Sequence, residues 1–265
     1  MAATPPVEGD LTMKTILITG AASGIGRQTA SLFVARGWRV AGADVNASAL
    51  AQLALELGSG FVPLTGDVRT REGARALVDA ATAVTGGSLD ALFNCAGILE
   101  MGPHVTIQPE RVDRLIDVNI KGVVYCTDAA YPALARTPGA HIVSMSSTSA
   151  EYGTPDHAMY SASKFFVRGL TEALNIEMEP AGIQVSAILV AYVQTPMVNA
   201  AEVKAASVEK LGVKVKPQTV AETVWKALHG NKVLWRVGAD ATVLNIAVRL
   251  LGSSARGVYK KLTGY

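Results

Sequence analysis

The chain has 265 residues, of which 49% are hydrophobic and 17% are charged, and its formal net charge is +2. This composition supports a sizeable buried core and excludes the low hydrophobicity and high net charge of a disordered chain. Lysine and arginine do not cluster, so we expect no nucleic-acid partner. The chain has two cysteines, Cys95 and Cys126, which excludes a disulfide framework and favours a reducing, cytoplasmic location.

Both ends of the chain differ from its middle. Residues 1–12 lack the basic region and the apolar run of a signal peptide, so we predict a disordered tail and one domain over residues 13–265. The longest uncharged stretch, residues 180–201, contains Gly182 and Pro196 and is a poor membrane span. An extension of about residues 238–265 contains an apolar run at 244–251. We expect a helix that covers the core or a partner subunit; the alternative is a helix lying on a membrane surface.

Between these ends, apolar runs alternate with longer amphipathic stretches. Strands are predicted at residues 14–19, 38–43, 61–65, 89–94, 139–144, 183–190 and 232–237, and helices at 24–37, 47–57, 71–84, 111–135, 158–178 and 221–228. Because the strands are apolar throughout and helices separate them, the pattern predicts an α/β fold. The sheet would be parallel and doubly wound, with about seven strands and helices on both faces. An irregular insert, about residues 192–216, is expected to hold one short helix.

A glycine-rich segment, residues 19–26, lies between the first strand and the first helix. Glycines there let the backbone turn sharply and approach a pyrophosphate, and the helix N-terminus offers free N–H groups. A tight turn without a ligand is the alternative, but a strand before and a helix after favour a dinucleotide site in a Rossmann-type fold. The contacts expected from this segment are Gly20, Ser23, Gly24, Ile25 and Gly26.

The second predicted strand ends at Asp44, where the adenosine ribose of a dinucleotide would lie. A carboxylate there accepts hydrogen bonds from both ribose hydroxyls and repels a 2′-phosphate. No arginine follows closely, and Ser23 occupies a place in the glycine segment where a basic residue would favour the phosphate. We therefore expect NAD rather than NADP. Capping of the next helix is the alternative role, for which Asn46 is better placed.

Tyr160 and Lys164 stand four residues apart in a predicted helix and therefore share one face. A neighbouring cation stabilises the phenolate and lowers the pKa of a tyrosine, so the pair can serve as a general acid and base. A solvated surface pair is the alternative.

Several short motifs, taken together, resemble the short-chain dehydrogenase/reductase family over roughly residues 13–240. They are TGxxxGxG at 19–26, Asp67-Val68, NCAG at 94–97, Asn119 in VNIKG, Ser147 and YSASK at 160–164. The resemblance implies that Ser147 binds the substrate oxygen, that Tyr160 exchanges its proton, and that Lys164 binds the nicotinamide ribose. Asn119 would hold a water that links Lys164 to solvent. Further cofactor contacts are implied at Asp67, Val68, Asn94, Ala96, Gly97, Tyr160, Lys164, Val193 and Thr195.

The chain departs from the family pattern at two places. Cys95 replaces the second asparagine of NNAG, a change we expect to matter little. Val190-Ala191 stands where the family has Pro-Gly, and the added Cβ and the looser turn would weaken the placement of the nicotinamide or reshape an active pocket.

Residues beyond the strand ends are candidates for the substrate pocket. Contacts are expected from Ser147, Thr148, Tyr152 and Tyr192. Further lining is expected from Leu99, Glu100, Met101, Val190 and Val193 and from the insert around residues 197–211. Because this set is mostly apolar, we expect a hydrophobic secondary alcohol or ketone. No metal site is predicted, since His104 and His157 lack a ligand at metal spacing.

The leading hypothesis is an NAD-dependent oxidoreductase. Two alternatives are an NADPH-dependent reductase of a carrier-bound or CoA-bound keto group and a non-catalytic dinucleotide sensor on the same fold. A methyltransferase would also have the glycine segment and the acidic residue, but it would not need Ser147, Tyr160 and Lys164 together. The family resemblance further implies a homodimer or homotetramer formed through the two longest helices.

Overall fold

The computed structural model describes residues 13–84, 87–199, 203–238, 246 and 250–263. The tail predicted for residues 1–12 lies outside these residues, as does most of the apolar run at 244–251.

Seven parallel strands form one sheet. They are β1 (Thr15–Thr19), β2 (Arg39–Asp44), β3 (Phe61–Thr65), β4 (Ala91–Asn94), β5 (His141–Met145), β6 (Gln184–Val190) and β7 (Leu234–Val237). Their order is β3-β2-β1-β4-β5-β6-β7, so the direction of winding reverses between β1 and β4. Such a reversal opens a crevice outside the carboxyl ends of the strands, where ligands of doubly wound sheets bind. The predicted α/β fold is confirmed.

Helices cover both faces of the sheet. They are α1 (Gly24–Ala35), α2 (Ala47–Leu57), α3 (Arg71–Ala83), α4 (Pro109–Ile116), α5 (Gly122–Leu134), α6 (Ala158–Glu177), α7 (Pro196–Asn199), α8 (Ala206–Leu211), α9 (Pro217–Leu228) and α10 (Ala255–Thr263). Successive strand residues point to opposite faces, so Ile16 and Ile18 pack with α1 and α9 while Leu17 packs with α3 and α5. The result is two buried apolar layers, one on each side of the sheet.

Three helical predictions needed correction. The single helix expected at 111–135 is interrupted by a π-helical turn, Asp117–Lys121, between α4 and α5. Helix α9 begins four residues earlier than expected, at Pro217, because a proline in the first turn loses no intrahelical hydrogen bond. The insert holds two short helices rather than one, since Pro196 begins α7 and Gly212, with φ +71°, ends α8.

His141, at the start of β5, is buried with its ring in a short hydrogen-bonded chain. Its Nε2 lies 2.8 Å from Ser186 Oγ, which donates to the carbonyl of Lys232 at 3.0 Å. Ser186 therefore accepts from Nε2–H. Burial lowers the pKa of His141 to about 4, and His229 contributes in the same direction.

This histidine predicts an acid-labile fold. Below pH 6.5, the ordinary pKa of histidine, His141 binds a proton in the unfolded chain but stays neutral in the folded chain down to about pH 4. The free energy of unfolding therefore falls between about pH 6.5 and about pH 4. The expected cost is about 2 to 3 kcal/mol at about pH 4.5. Urea unfolding at neutral and acidic pH measures it. His141→Gln should lose less stability on acidification than the wild type, whereas exposed His104→Gln should match the wild type. Equal losses in all three proteins would contradict the prediction.

Candidate active site

A cleft of about 830 Å³ lies outside the carboxyl ends of the strands, and the segments that follow β1 to β6 all contribute to it. All the predicted cofactor contacts except Asn94 line it: Gly20, Ser23, Gly24, Ile25, Gly26, Asp44, Asp67, Val68, Ala96, Gly97, Tyr160, Lys164, Val193 and Thr195. Ser147, Thr148 and Tyr192 line it as well. Asn119 and Tyr152 are not among its lining residues. Residues from distant parts of the sequence thus meet at one edge of the sheet.

The glycine segment is pressed against the loop after β4. Thr19 Oγ1 accepts hydrogen bonds from the N–H groups of Cys95 and Ala96, each at 3.1 Å. Gly20 has φ +72°, and a Cβ there would lie 2.8 Å from Ala96 Cα, so the close approach requires glycine. The side chain of Ser23 makes no capping hydrogen bond to α1, which leaves the first-turn N–H groups without a side-chain partner at the cleft. The turn at residues 19–26 and the first-turn N–H groups of α1, together called the glycine cradle, fit the pyrophosphate of a dinucleotide.

Asp44 is held at the cleft edge by two backbone N–H groups. Its Oδ2 accepts from Ala22 at 3.1 Å, and its Oδ1 accepts from Asn46 at 3.0 Å. Asn46 caps α2 through Oδ1, which accepts from the N–H of Ala49 at 3.0 Å. The carboxylate of Asp44 is therefore not the helix cap, and its remaining lone pairs are available to a ligand in the cleft.

Arg69 is a lining residue that sequence reasoning missed. Its guanidinium forms an ion pair with Asp67, with Nη2 2.6 Å from Oδ2, and its backbone N–H donates to Oδ1 at 2.9 Å. The hydrogen bonds from Arg69 lower the pKa of Asp67. Its position two residues after Asp67 was the available signal, because a residue that near in a turn can fold back on the carboxylate. Arg114, from α4, also lines the cleft.

Tyr160 and Lys164 lie on one face of α6, as predicted. Lys164 Nζ lies 5.4 Å from the centroid of the Tyr160 ring and donates to the carbonyl of Met145 at 2.9 Å. Ser147, two residues beyond β5, donates through Oγ to the carbonyl of Val190 at 3.3 Å and accepts from the N–H of Ser149 at 3.2 Å. The hydroxyl, phenol and ammonium groups therefore belong to one cleft.

The expected lowering of the Tyr160 pKa is wrong. Burial raises the pKa of Tyr160 to about 12, with the neighbouring Ser147 hydroxyl acting in the opposite direction. Burial also lowers the pKa of Lys164 to about 8. Loss of contact with water disfavours both charged forms, and the ammonium is directed at a carbonyl rather than at the phenol oxygen. At neutral pH the phenol is consequently protonated.

Asn119 is fully buried in the π-helical turn, and its side-chain amide makes hydrogen bonds within the protein. Its Oδ1 accepts from the N–H of Ile98 at 2.8 Å, and its Nδ2 donates to the carbonyl of Ile98 at 2.9 Å and to Ser163 Oγ at 3.2 Å. These bonds tie the loop after β4 to α6. The water-holding role implied for Asn119 stays a prediction.

Two other predicted contacts face away from the cleft. Asn94 is buried, and its Nδ2 donates to Thr127 Oγ1 at 3.2 Å on α5 and lies 3.4 Å from Ser144 Oγ. Tyr152 packs against Tyr259, with ring centroids 4.3 Å apart and the ring planes tilted by 34°. The lining residues that sequence reasoning missed include Thr154, His157, Tyr259 and Thr263. The last two come from α10, and no motif pointed to them.

The residues that depart from the family pattern, Cys95, Val190 and Ala191, all line the cleft. Val190 is buried at the end of β6, where its carbonyl accepts from Ser147, and Ala191 lines the cleft. A Cβ on Gly24 would lie 3.1 Å from Thr195 Cγ2, so Thr195 sits directly against the glycine segment. Burial raises the pKa of Cys95 to about 12, which keeps this cleft thiol neutral.

Two structural features are absent from the described part of the chain. Within it, no cluster of three His, Cys, Asp or Glu side chains is placed to hold a metal ion. None of its helices has the length and apolar character needed to cross a membrane.

The sequence model of the short chain dehydrogenase family matches residues 14–206. The chain therefore belongs to the short-chain dehydrogenase/reductase family, and it is an alcohol-type oxidoreductase with a nicotinamide dinucleotide cofactor.

Individual relatives agree with this assignment. Oxidoreductase UcpA of Salmonella typhimurium is 37% identical over 193 residues, which cover 71% of this chain and 73% of that protein. The 2,5-dichloro-2,5-cyclohexadiene-1,4-diol dehydrogenase of Sphingobium indicum is 36% identical over 194 residues, 72% of this chain and 77% of that protein. The crystal structure of a 3-ketoacyl-(acyl-carrier-protein) reductase from Brucella melitensis, complexed with NADH, has a TM-score of 0.77 at 30% identity. The match covers 86% of this chain and 98% of that chain. Other matching structures hold NAD or NADP+.

Proposed function

We propose that the protein transfers a hydride between NAD and a hydrophobic secondary alcohol or ketone. The observation that carries this proposal is that Ser147, Tyr160 and Lys164 line one cleft. We call the part of the cleft beside these three side chains the substrate arm. The part beside the glycine segment and Asp44 is the cofactor arm. Hydride leaves an alcohol carbon readily only as the hydroxyl proton departs, so an oxygen anchor, a proton acceptor and the cofactor site must converge.

Each of the three side chains has a role that its surroundings support. The bound nicotinamide supplies or accepts the hydride. Tyr160, protonated at neutral pH, donates its proton to the ketone oxygen during reduction and takes it back during oxidation. Ser147 turns its hydroxyl from the Val190 carbonyl to the substrate oxygen, and Lys164 holds the nicotinamide ribose through its ammonium. We also propose that Asn119 acts indirectly, by fixing the loop after β4 through Ile98.

We propose NAD rather than NADP because of Asp44. Its carboxylate is fixed by two N–H groups and faces the cleft without a basic neighbour immediately after it in the sequence. Nicotinamide fluorescence is expected to report tighter binding of NADH than of NADPH to the wild type. Asp44→Asn should weaken NADH binding by about 10-fold to 100-fold, the loss expected for hydrogen bonds to a charged acceptor.

The matched control for Asp44 is Asp79→Asn, which changes an exposed carboxylate on α3 that pairs with Arg75. This variant should bind NADH as the wild type does. Tighter binding of NADPH than of NADH to the wild type would contradict the assignment.

A panel of substrates tests the reaction itself. The assay measures the rate of change at the absorbance band of the reduced cofactor. It uses cyclic and open-chain secondary alcohols with NAD, and the corresponding ketones with NADH. Acetoacetyl-CoA with NADPH belongs in the same panel, because the similarity to a carrier-protein reductase favours that alternative. We expect turnover of the hydrophobic alcohols or ketones. Cofactor binding without turnover of any member would support the dinucleotide sensor.

Other features of the organisation are proposals as well. The continuous sheet supports one domain over residues 13–265. Exposed Tyr131, Phe165 and Phe166 on α5 and α6 support a homodimer or homotetramer formed through these helices. The unpaired thiols of Cys95 and Cys126 support a reducing, cytoplasmic location.

A further inference from the structure

Helix α10 packs against its own chain although it lies beyond residues 14–206, where the family model ends. Ala255, Tyr259 and Thr263 recur every four residues and are 2%, 7% and 2% exposed. Arg256 and Lys260 are exposed on the helix. One face of α10 is therefore buried in the protein, which favours the core-covering alternative over a membrane surface for this part of the extension.

The buried face of α10 is anchored at Tyr259. Its hydroxyl donates to the carbonyl of Tyr152 at 3.2 Å and lies 3.4 Å from Thr154 Oγ1, while its ring packs against that of Tyr152. Both the hydroxyl and one side of the ring are thus engaged by the segment that precedes α6. Tyr259 and Thr263 both line the cleft.

Helix α8 joins α10 to the catalytic helix. Lys210 Nζ, on α8, donates to the carbonyl of Lys261 at 3.3 Å. Also on α8, buried Ser207 lies 2.7 Å from the hydroxyl of Tyr192. That hydroxyl is 3.5 Å from His157 Nε2 at the start of α6. The ring of His157 is in turn 6.2 Å from that of Tyr160. Tyr259 therefore belongs to the substrate arm of the cleft, away from the arm that contains Asp44.

We propose that Tyr259 is a specificity-determining residue, the end wall of the substrate arm, and that α10 restricts the enzyme to compact alcohols and ketones. The proposal rests on the proposed function. A wall whose hydroxyl is already bonded offers the substrate an aromatic surface rather than a polar partner. Compact cyclic or short-chain secondary alcohols would fit against it, whereas extended chains, such as carrier-bound acyl groups, would collide with it.

The preference of the Tyr259→Ala variant for long or short alcohols tests whether Tyr259 limits the length of the substrate. The probes are 2-butanol, cyclohexanol and 2-decanol with NAD, compared by kcat/KM. The ratio of 2-decanol to 2-butanol should rise about tenfold, the discrimination available from a hydrophobic pocket that gains or loses space. Tyr259→Leu, which keeps an apolar contact but shortens the wall, should shift the ratio in the same direction and serves if the alanine variant does not fold.

Two control variants separate a wall from a structural support. Tyr259→Phe keeps the ring and should keep the wild-type ratio, although it loses the bonds to Tyr152 and Thr154. Lys260→Ala, next to Tyr259 but on the exposed part of α10, should behave as the wild type. An unchanged ratio in the alanine and leucine variants, or a shift in the phenylalanine variant as large as in alanine, would overturn the proposal.

A labelling experiment tests the wall without turnover, so that failure of the proposed reaction does not decide the matter. Thr148→Cys in a Cys95→Ala background places one thiol in the cleft, since the remaining Cys126 is buried. With NADH filling the cofactor arm, the rates of reaction with N-ethylmaleimide and with fluorescein maleimide are compared. Adding Tyr259→Ala should raise the relative rate of the larger reagent about tenfold. An unchanged relative rate would overturn the wall even if no alcohol in the panel is oxidised.

Discussion

Tyr160→Phe is expected to lower turnover by about 10³-fold while leaving NADH affinity near that of the wild type. The variant keeps the ring and its packing but removes the hydroxyl that exchanges the proton, and general acid–base catalysis contributes about 10²-fold to 10⁴-fold. Because the hydroxyl is not needed for the glycine cradle or for Asp44, cofactor binding should survive. Steady-state kcat and the NADH dissociation constant, measured side by side, separate the two effects.

The matched control is Tyr192→Phe, a second cleft tyrosine whose hydroxyl bonds Ser207. It should lose far less turnover than Tyr160→Phe, because Tyr192 positions α8 and exchanges no proton in the proposed reaction. Near-normal turnover by Tyr160→Phe, or equal losses in the two variants, would show that another group transfers the proton.

The direction of the Tyr160 pKa shift adds a pH dependence to this prediction. With the pKa of Tyr160 raised to about 12, the base form is scarce at neutral pH, and its fraction grows as the pH rises. Alcohol oxidation should therefore accelerate from neutral to alkaline pH, whereas ketone reduction, which uses the protonated phenol, should not. Tyr160→Phe should lose this difference between the two directions.

Glu151→Ala is expected to lower the free energy of unfolding by about 3 kcal/mol or more. The carboxylate of Glu151 is buried between two arginines, with Oε2 2.6 Å from Arg168 Nη1 and Oε1 2.7 Å from Arg236 Nη2. Each arginine side chain is less than one-fifth exposed, so removal of the shared carboxylate leaves two poorly hydrated positive charges close together, of which Arg168 keeps its ion pair with the more exposed Glu172. Breaking a buried pair from one side costs about 3 to 5 kcal/mol for this reason.

Urea unfolding at neutral pH measures the Glu151 effect. Asp79→Ala is the control, because its pair with Arg75 on α3 is exposed and such pairs contribute at most about 1 kcal/mol. Losses of similar size in the two variants would contradict the prediction. Glu151 also links α6 and β7 to the turn that begins at Ser147, so turnover of the folded variant should fall as well.

The architecture could be anticipated because its signals are local. Alternation of apolar strands with amphipathic helices predicted the parallel sheet, and the glycine segment between β1 and α1 predicted the cradle. A four-residue spacing in a helix places Tyr160 and Lys164 on one face whatever surrounds them. The division of the 111–135 helix by a π-helical turn was not foreseeable from apolar spacing. The turn contains buried Asn119, whose hydrogen bonds to Ile98 form only in the folded protein.

Side-chain direction and burial, by contrast, depend on packing between distant segments. Asn94 follows the motif but turns towards Thr127 on α5, and Arg69 enters the cleft because it folds back on Asp67. Sequence spacing placed Lys164 beside Tyr160. Burial of both groups in the folded protein, however, raises the pKa of Tyr160 and lowers that of Lys164. Tyr259 reached the substrate arm through contacts with residues more than one hundred positions earlier. Periodicity along the chain determines where strands and helices form and which residues share a helix face. The direction, burial and pKa of a side chain are decided only after the chain has folded and excluded water from the cleft.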